Sequence, residues 1–193
     1  MEIIRIKHRD FVKENEINGH SFICSYKEKQ YFIRKFDYKT NEGKELIYCL
    51  KQLKLSGVKV PKLFWVDKKA GYIVTEFIDG ELASNYFSKQ DFEEWVYEKL
   101  FISASYAKMN KMTLDYSPDK WMIKDGELYY IYPIYIRYQK EKDLVEKYIR
   151  LWFNTKETAS FMKENGLSFD SGRIKKEYEV NKQIVLMTCK YYR

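Results

Sequence analysis

The sequence predicts an α+β protein in two lobes, a β-rich lobe over residues 1–80 and a mainly helical lobe over 81–193. Three observations predict it. Short β-rich segments bounded by turn residues fill most of residues 2–36, 62–66 and 72–78. A single helical period interrupts them at 41–55. Helical period then governs 89–112 and most of 141–193, with one hairpin between. With 193 residues, 45% of them hydrophobic, the chain can build one domain or two small lobes around a cleft. Only 8 Gly and 3 Pro argue against a long disordered linker.

The elements follow in order. Ser21-Phe22-Ile23-Cys24-Ser25-Tyr26 and Tyr31-Phe32-Ile33-Arg34-Lys35-Phe36 flank the polar turn Lys27-Glu28-Lys29-Gln30, a hairpin signal, and Asn18-Gly19 before them is a turn dipeptide. Leu46, Ile47, Cys49, Leu50 and Leu53 share one helical face, and Ser56-Gly57 stops that helix. Strands at 62–66 and 72–78 are joined by the turn Asp67-Lys68-Lys69-Ala70-Gly71, which predicts a five-stranded sheet with one helix in the first lobe. The stripe Phe92, Trp95, Val96, Leu100, Ser103, Ala107 and Met109 or Asn110 predicts one long helix over 89–112. After the turn Asp115-Tyr116-Ser117-Pro118, a second hairpin joins Trp121-Met122-Ile123 to Leu128–Tyr132 through Lys124-Asp125-Gly126. Its alternation puts Tyr130 and Tyr132 on one face and Tyr129, Ile131 and Pro133 on the other; a buried strand is preferred over a stacking surface. Residues 141–193 predict two or three amphipathic helices broken near Gly166 and Ser171-Gly172, with Trp152 and Phe153 in the core of a C-terminal helix.

The formal net charge of +7 favours anionic partners: nucleotides, nucleic acid, acidic glycans or anionic lipid heads. The lysines are nevertheless scattered among acids, as on an ordinary solvated surface. Cys24, Cys49 and Cys189 lie far apart with no CxxC spacing, which predicts free thiols and a reducing, cytoplasmic setting. With His8 and His20 as the two histidines, the chain offers no zinc spacing. The first residues lack an apolar core and no run approaches 18 apolar residues, so neither a leader nor a membrane span is expected.

Two stretches carry a family likeness. The first is Ser56-Gly57-Val58-Lys59-Val60-Pro61, then Val66-Asp67-Lys68-Lys69-Ala70-Gly71-Tyr72-Ile73-Val74, then Glu76-Phe77-Ile78-Asp79-Gly80. The second is Leu114-Asp115-Tyr116-Ser117-Pro118-Asp119-Lys120-Trp121-Met122-Ile123. With the order of elements, they resemble the protein-kinase-like superfamily in its small branch of RIO-type kinases, aminoglycoside phosphotransferases and lipopolysaccharide core kinases. The likeness covers roughly residues 15–135 and implies a bilobal fold with ATP as cofactor.

Phosphoryl transfer is mostly positioning and charge neutralisation. The resemblance implies Arg34, or Lys35 one residue on, as the strand cation for nucleotide phosphates; opposite strand faces allow only one of them into the cleft. It implies Glu45, or Glu42, as the helix acid that holds this cation, although an acid near a helix start is also favoured by the helix dipole. Glu76 and Ile78 fall among the nucleotide-binding positions, as does Lys120, and Asp115 falls at the proton acceptor. Asp115 also suits a plain turn residue.

The departures are specific. Thr113 stands at the family's His, Lys120 at its metal-binding Asn, and Tyr132, followed by Pro133, at its metal-binding Asp. An ammonium cannot ligate magnesium, so magnesium binding is doubtful; Asp119, one residue earlier, is the candidate ligand if the loop bends differently. Gly19 is the one glycine of the phosphate-covering loop. The segment 136–193 is short for the fold's substrate-binding helices.

Three functions remain open on these residues. The first is a pseudokinase with a weak or vestigial nucleotide cleft that acts by binding a protein partner. The second is an active, divergent phosphotransferase on a small molecule or anionic glycan, with Asp119, Asp125 or Glu127 replacing the lost metal ligands. The third, less favoured, is a basic nucleic-acid-binding module using Arg173-Ile174-Lys175-Lys176 and the aromatic content.

Overall fold

The computed structural model describes residues 2–192 and divides the chain into two units, Met1–Leu55 with Val60–Asp79 and Ser56–Lys59 with Gly80–Arg193. The first unit contains β1 (Ile3–Ile6), β2 (Arg9–Asn18), β3 (Ser21–Tyr26), β4 (Lys29–Lys35), most of helix α1 (Asn41–Ser56), β5 (Leu63–Asp67) and β6 (Tyr72–Glu76). Its strands form one antiparallel sheet in the order β1-β2-β3-β4-β6-β5. The sheet has six strands, one more than the sequence predicts. Lys7 and His8 turn β1 into β2 with φ of 45° and 64°. That left-handed pair lacks the Gly or Asn that normally marks such a turn, so the turn carries no sequence signal.

Strand alternation builds this unit's core. Phe22 and Cys24 stand opposite Ile33 and Tyr31, and Ile33 stands opposite Val74. All five are buried, together with Ile4, Ile6 and Phe11. Phe11 meets Tyr31 edge-on, with ring centroids 5.5 Å apart, and Trp65 at 5.9 Å. Each such large side chain removed from water contributes about 1.5–3 kcal/mol before entropy is counted.

Helix α1 starts where Thr40 Oγ1 accepts the amide of Gly43 at 3.0 Å. A Cβ at Gly43 would fall on the carbonyl oxygen of Asp37, so only glycine lets the incoming chain lie this close. Of the predicted face, Leu46, Ile47, Cys49 and Leu53 are buried and Leu50 is half-buried.

The second unit contains β7 (Glu81–Leu82), α2 (Ala83–Lys89), α3 (Glu94–Met109), β8 (Met112–Thr113), β9 (Trp121–Lys124), β10 (Glu127–Tyr130), β11 (Ile136–Arg137), α4 (Lys156–Glu164) and α5 (Glu177–Tyr191). Strands β10-β9-β7 make a small sheet and β11-β8 a two-stranded one. Where the sequence predicts one helix over 89–112, the structure has α3 over Glu94–Met109, starting later than predicted, with the separate short α2 ending at Lys89. Asp91 lies in the break, its carboxylate accepting Asn154 Nδ2 at 2.9 Å and the Arg173 guanidinium at 2.7 Å. Those bonds hold it in a non-helical stretch. The apolar stripe also ends earlier than predicted, since Met109 is 76% exposed.

Trp152 and Phe153 are buried, but in and after the 3-10 turn Ile149–Trp152 rather than in a C-terminal helix. A π-helical turn, Leu144–Tyr148, precedes it. Among the described residues no helix is long and apolar enough to cross a membrane.

Candidate functional site

The segment 113–121 in the second unit is tightly determined by its backbone. Thr113, at the position where the resemblance expects a histidine, is buried in β8, and its Oγ1 accepts the amide of Gln139 at 2.9 Å. The Asp115 amide donates to Tyr130 Oη at 3.2 Å, and that hydroxyl donates to the carbonyl of Ile134 at 2.7 Å. The Asp115 carbonyl accepts Trp121 Nε1 at 3.1 Å, and the Tyr116 carbonyl accepts Trp152 Nε1 at 2.7 Å. Burial pushes the Tyr116 and Tyr130 hydroxyls up, so both rings stay neutral.

The side chains divide the work. Asp115 Oδ1 accepts both the amide of Ser117, at 3.0 Å, and the Ser117 hydroxyl. This is the turn chemistry that Asp-x-Ser-Pro predicts. Pro118 then opens the 3-10 turn Pro118–Lys120. The second oxygen, Oδ2, has no hydrogen-bond partner among the described residues, and Asp115 is half-buried. One oxygen of a fixed carboxylate is thus left unengaged by the described residues, and an unengaged carboxylate oxygen can accept a proton.

Lys120 lies near enough for its ammonium to feel the Asp115 charge. Its Nζ donates to Asp119 Oδ2 and lies 5.5 Å from the centre of the Tyr132 ring. Burial works against the ammonium, but the Asp119 hydrogen bond and then the charges of Asp119 and Asp115 outweigh it, and the Lys120 pKa is raised. Lys120 is a permanent cation at neutral pH. Asp119 Oδ1 is buried without a hydrogen-bond partner. Tyr132, 37% exposed, is separated from buried Tyr130 by the end of β10 and meets it edge-on at 6.5 Å.

The Lys120 ammonium works against magnesium at this loop, although Asp119 Oδ1 is left without a partner among the described residues. The Asp119 carboxylate already carries an ammonium, which repels a dication and takes one of its oxygens. Asp125 lies exposed at the tip of the β9–β10 turn, with φ of 50°, and Glu127 pairs with Lys99 at 3.4 Å. Among the described residues no three acids, histidines or cysteines group as a metal site.

The first unit holds the other predicted positions. Arg34 is half-buried and shares a sheet face with Ser21 and Ile73, while Lys35 is exposed opposite Tyr72 on the other face. Glu45 is exposed on α1. Among the described residues neither Arg34, Lys35, Glu42 nor Glu45 makes an ion pair. The Glu76 carboxylate accepts the amide of Lys62 at 3.2 Å, and the Glu76 amide donates to the Lys62 carbonyl at 2.8 Å. Ile78 is buried.

Three features escaped the sequence. Tyr130 and Trp121 clamp the backbone of Asp115, yet each reads only as an apolar strand residue. Asp143 sits in a Lys- and Glu-rich run that looks like surface; it is buried and accepts the Tyr138 hydroxyl at 3.0 Å, the Tyr192 hydroxyl, and the Leu144 amide at 2.7 Å. Arg173, counted as a surface cation for nucleic acid, is instead spent inside the unit. It bonds Asp91 and the carbonyls of Phe87 and Ser88, and lies 4.8 Å from the Phe169 ring. The buried Cys24 thiol is pushed up to about 11 by burial, so it offers no thiolate.

These elements define an α+β protein with an N-terminal antiparallel sheet and one helix, followed by a helical part that carries a clamped carboxylate loop. No protein-family profile matches the chain, and no curated protein matches it. Among solved structures it is similar to the crystal structure of choline kinase LicA from Streptococcus pneumoniae, at 16% identity and a TM-score of 0.49, over 99% of this chain and 86% of that one. LicA in complex with AMP gives 16% identity and a TM-score of 0.48 over 98% and 84%.

Proposed function

We propose that this chain is a degenerate protein-kinase-like protein that binds nucleotide weakly or not at all and works by engaging a partner. The observation that carries the proposal is the Lys120 ammonium seated on Asp119 Oδ2, which puts a fixed cation where the resemblance expects a metal ligand. Magnesium bridges the phosphates and neutralises the charge that develops on them, so its loss costs many orders of magnitude in rate. Arg34 or Lys35 would meet the phosphates and Glu76 and Ile78 the rest of the nucleotide, with Glu45 unengaged.

A second reading, an active and divergent phosphotransferase on a small molecule or anionic glycan, is favoured by the open Oδ2 of Asp115, which suits a proton acceptor. Thermal unfolding with ATP or GTP, each with and without magnesium, separates the two. Ligand that binds only the folded state must raise the midpoint. The first reading expects either no shift or a small one indifferent to magnesium. A magnesium-dependent rise, abolished in the Arg34→Ala, Lys35→Ala double variant, would overturn it in favour of the enzyme.

A further inference from the structure

The outward face of α1 has an unusual makeup. At the helical repeat, Lys44, Tyr48, Lys51 and Leu55 fall within about 60° of one another, in the middle of the solvent side. Tyr48 is 58% exposed and Leu55 77% exposed. Lys54 flanks the stripe and is exposed as well.

The neighbouring loops add to the same charge. Lys68 Nζ donates to Tyr38 Oη at 2.9 Å and lies 4.2 Å from that ring's centre. The Tyr38 hydroxyl is held below its usual range, first by the Lys68 hydrogen bond and charge, then by Lys44 and Lys51. Lysines from a loop and from the helix therefore converge on one spot. Among the described residues none of Lys44, Lys51, Lys54 and Lys68 makes an ion pair. The helix acids Glu42 and Glu45 lie roughly 160° and 100° around the axis from Lys44, off the stripe.

Unpaired cations alternating with exposed apolar side chains on one helix face are the chemistry of an interfacial surface. The cations meet phosphate headgroups, and the apolar tips enter the headgroup–acyl boundary. We propose that the Lys44-Tyr48-Lys51-Leu55 face of α1, with Tyr38 and Lys68 beside it, docks reversibly on a bilayer that carries anionic phospholipids. The complementarity of charge selects the lipid. The exposed leucine argues against nucleic acid, whose backbone rewards cations and stacking rings but gives nothing to an aliphatic tip. The docking does not depend on nucleotide binding.

The test is co-sedimentation of the full chain with vesicles of phosphatidylcholine alone or mixed with phosphatidylglycerol. Binding is expected to the mixed vesicles only, weakening as salt rises. Lys44→Glu, Lys51→Glu is expected to lower the partition coefficient at least tenfold, and Tyr48→Ser, Leu55→Ser severalfold. Lys140→Glu, Lys142→Glu makes the same change in net charge elsewhere on the exposed surface and is expected to bind as wild type. Failure to pellet with mixed vesicles overturns the proposal, as does an equal loss in the Lys140, Lys142 variant. So does tight, salt-sensitive retention of single-stranded DNA that the Tyr48, Leu55 variant keeps in full. Circular dichroism of each variant confirms that a loss is not unfolding.

Discussion

Lys120 and Asp119 are sequence neighbours, and their pairing takes an ammonium and a carboxylate partly out of water together, with side chains 30% and 22% exposed. Removing one member leaves the other half-buried and unpaired, which is the costly case. Lys120→Ala is expected to cost about 1–3 kcal/mol in urea denaturation. The double variant Asp119→Asn, Lys120→Ala should cost less than Lys120→Ala alone, because no charge is then stranded. A double variant at least as unstable as the single one would show that the pair contributes only packing. At this scale the sequence displayed Asp115 as a turn carboxylate and Lys120 as a cation in a ligand's place. It could not display the partner of either, because counting along a chain gives register and not side-chain direction. Nor could it display whether Arg34 meets Glu45, the pairing that the resemblance implies.

Elements with a long repeat were legible and short ones were not. Helix α1 presents more than four turns of one period, and the inner face read from it is buried at Leu46, Ile47, Cys49 and Leu53 and half-buried at Leu50. Strand β1 has four residues and α2 has seven, too few for a period to stand above chance. Their boundaries are set by long-range partners: β1 by its pairing with β2, and the end of α2 by Arg173, which comes from the far end of the chain. The start of α1 depends on two local details. Thr40→Ala should cost about 1 kcal/mol through the lost cap. Gly43→Ala should cost more, roughly 1–3 kcal/mol, because its Cβ would displace the Asp37 carbonyl. Lys54→Ala on the exposed side should stay within about 0.5 kcal/mol of wild type. Chemical denaturation of the three variants checks the order, and a Gly43→Ala as stable as Lys54→Ala would refute the close approach.

At the scale of the whole molecule, the chain visits the second unit, returns, and leaves again: Ser56–Lys59 belong to the second unit although Val60–Asp79 belong to the first. That four-residue visit matters to the second unit. The Lys59 carbonyl accepts the amide of Tyr130 at 2.9 Å, and the Ser56 carbonyl accepts Asn110 Nδ2 at 3.0 Å. A fragment that begins at Gly80 loses both acceptors, and with them the edge support of the strand whose tyrosine clamps Asp115. Such a fragment should show no cooperative thermal transition; a sharp one at the intact protein's midpoint would show that Ser56–Lys59 is dispensable. The same partition sorts the chain's four tryptophans. Trp65 stands alone in the sheet of the first unit under the Arg9 guanidinium, while Trp95, Trp121 and Trp152 belong to the second. The protein therefore carries its own optical labels: emission from a Trp65→Phe variant comes wholly from one unit, and its difference from wild type reports on the other.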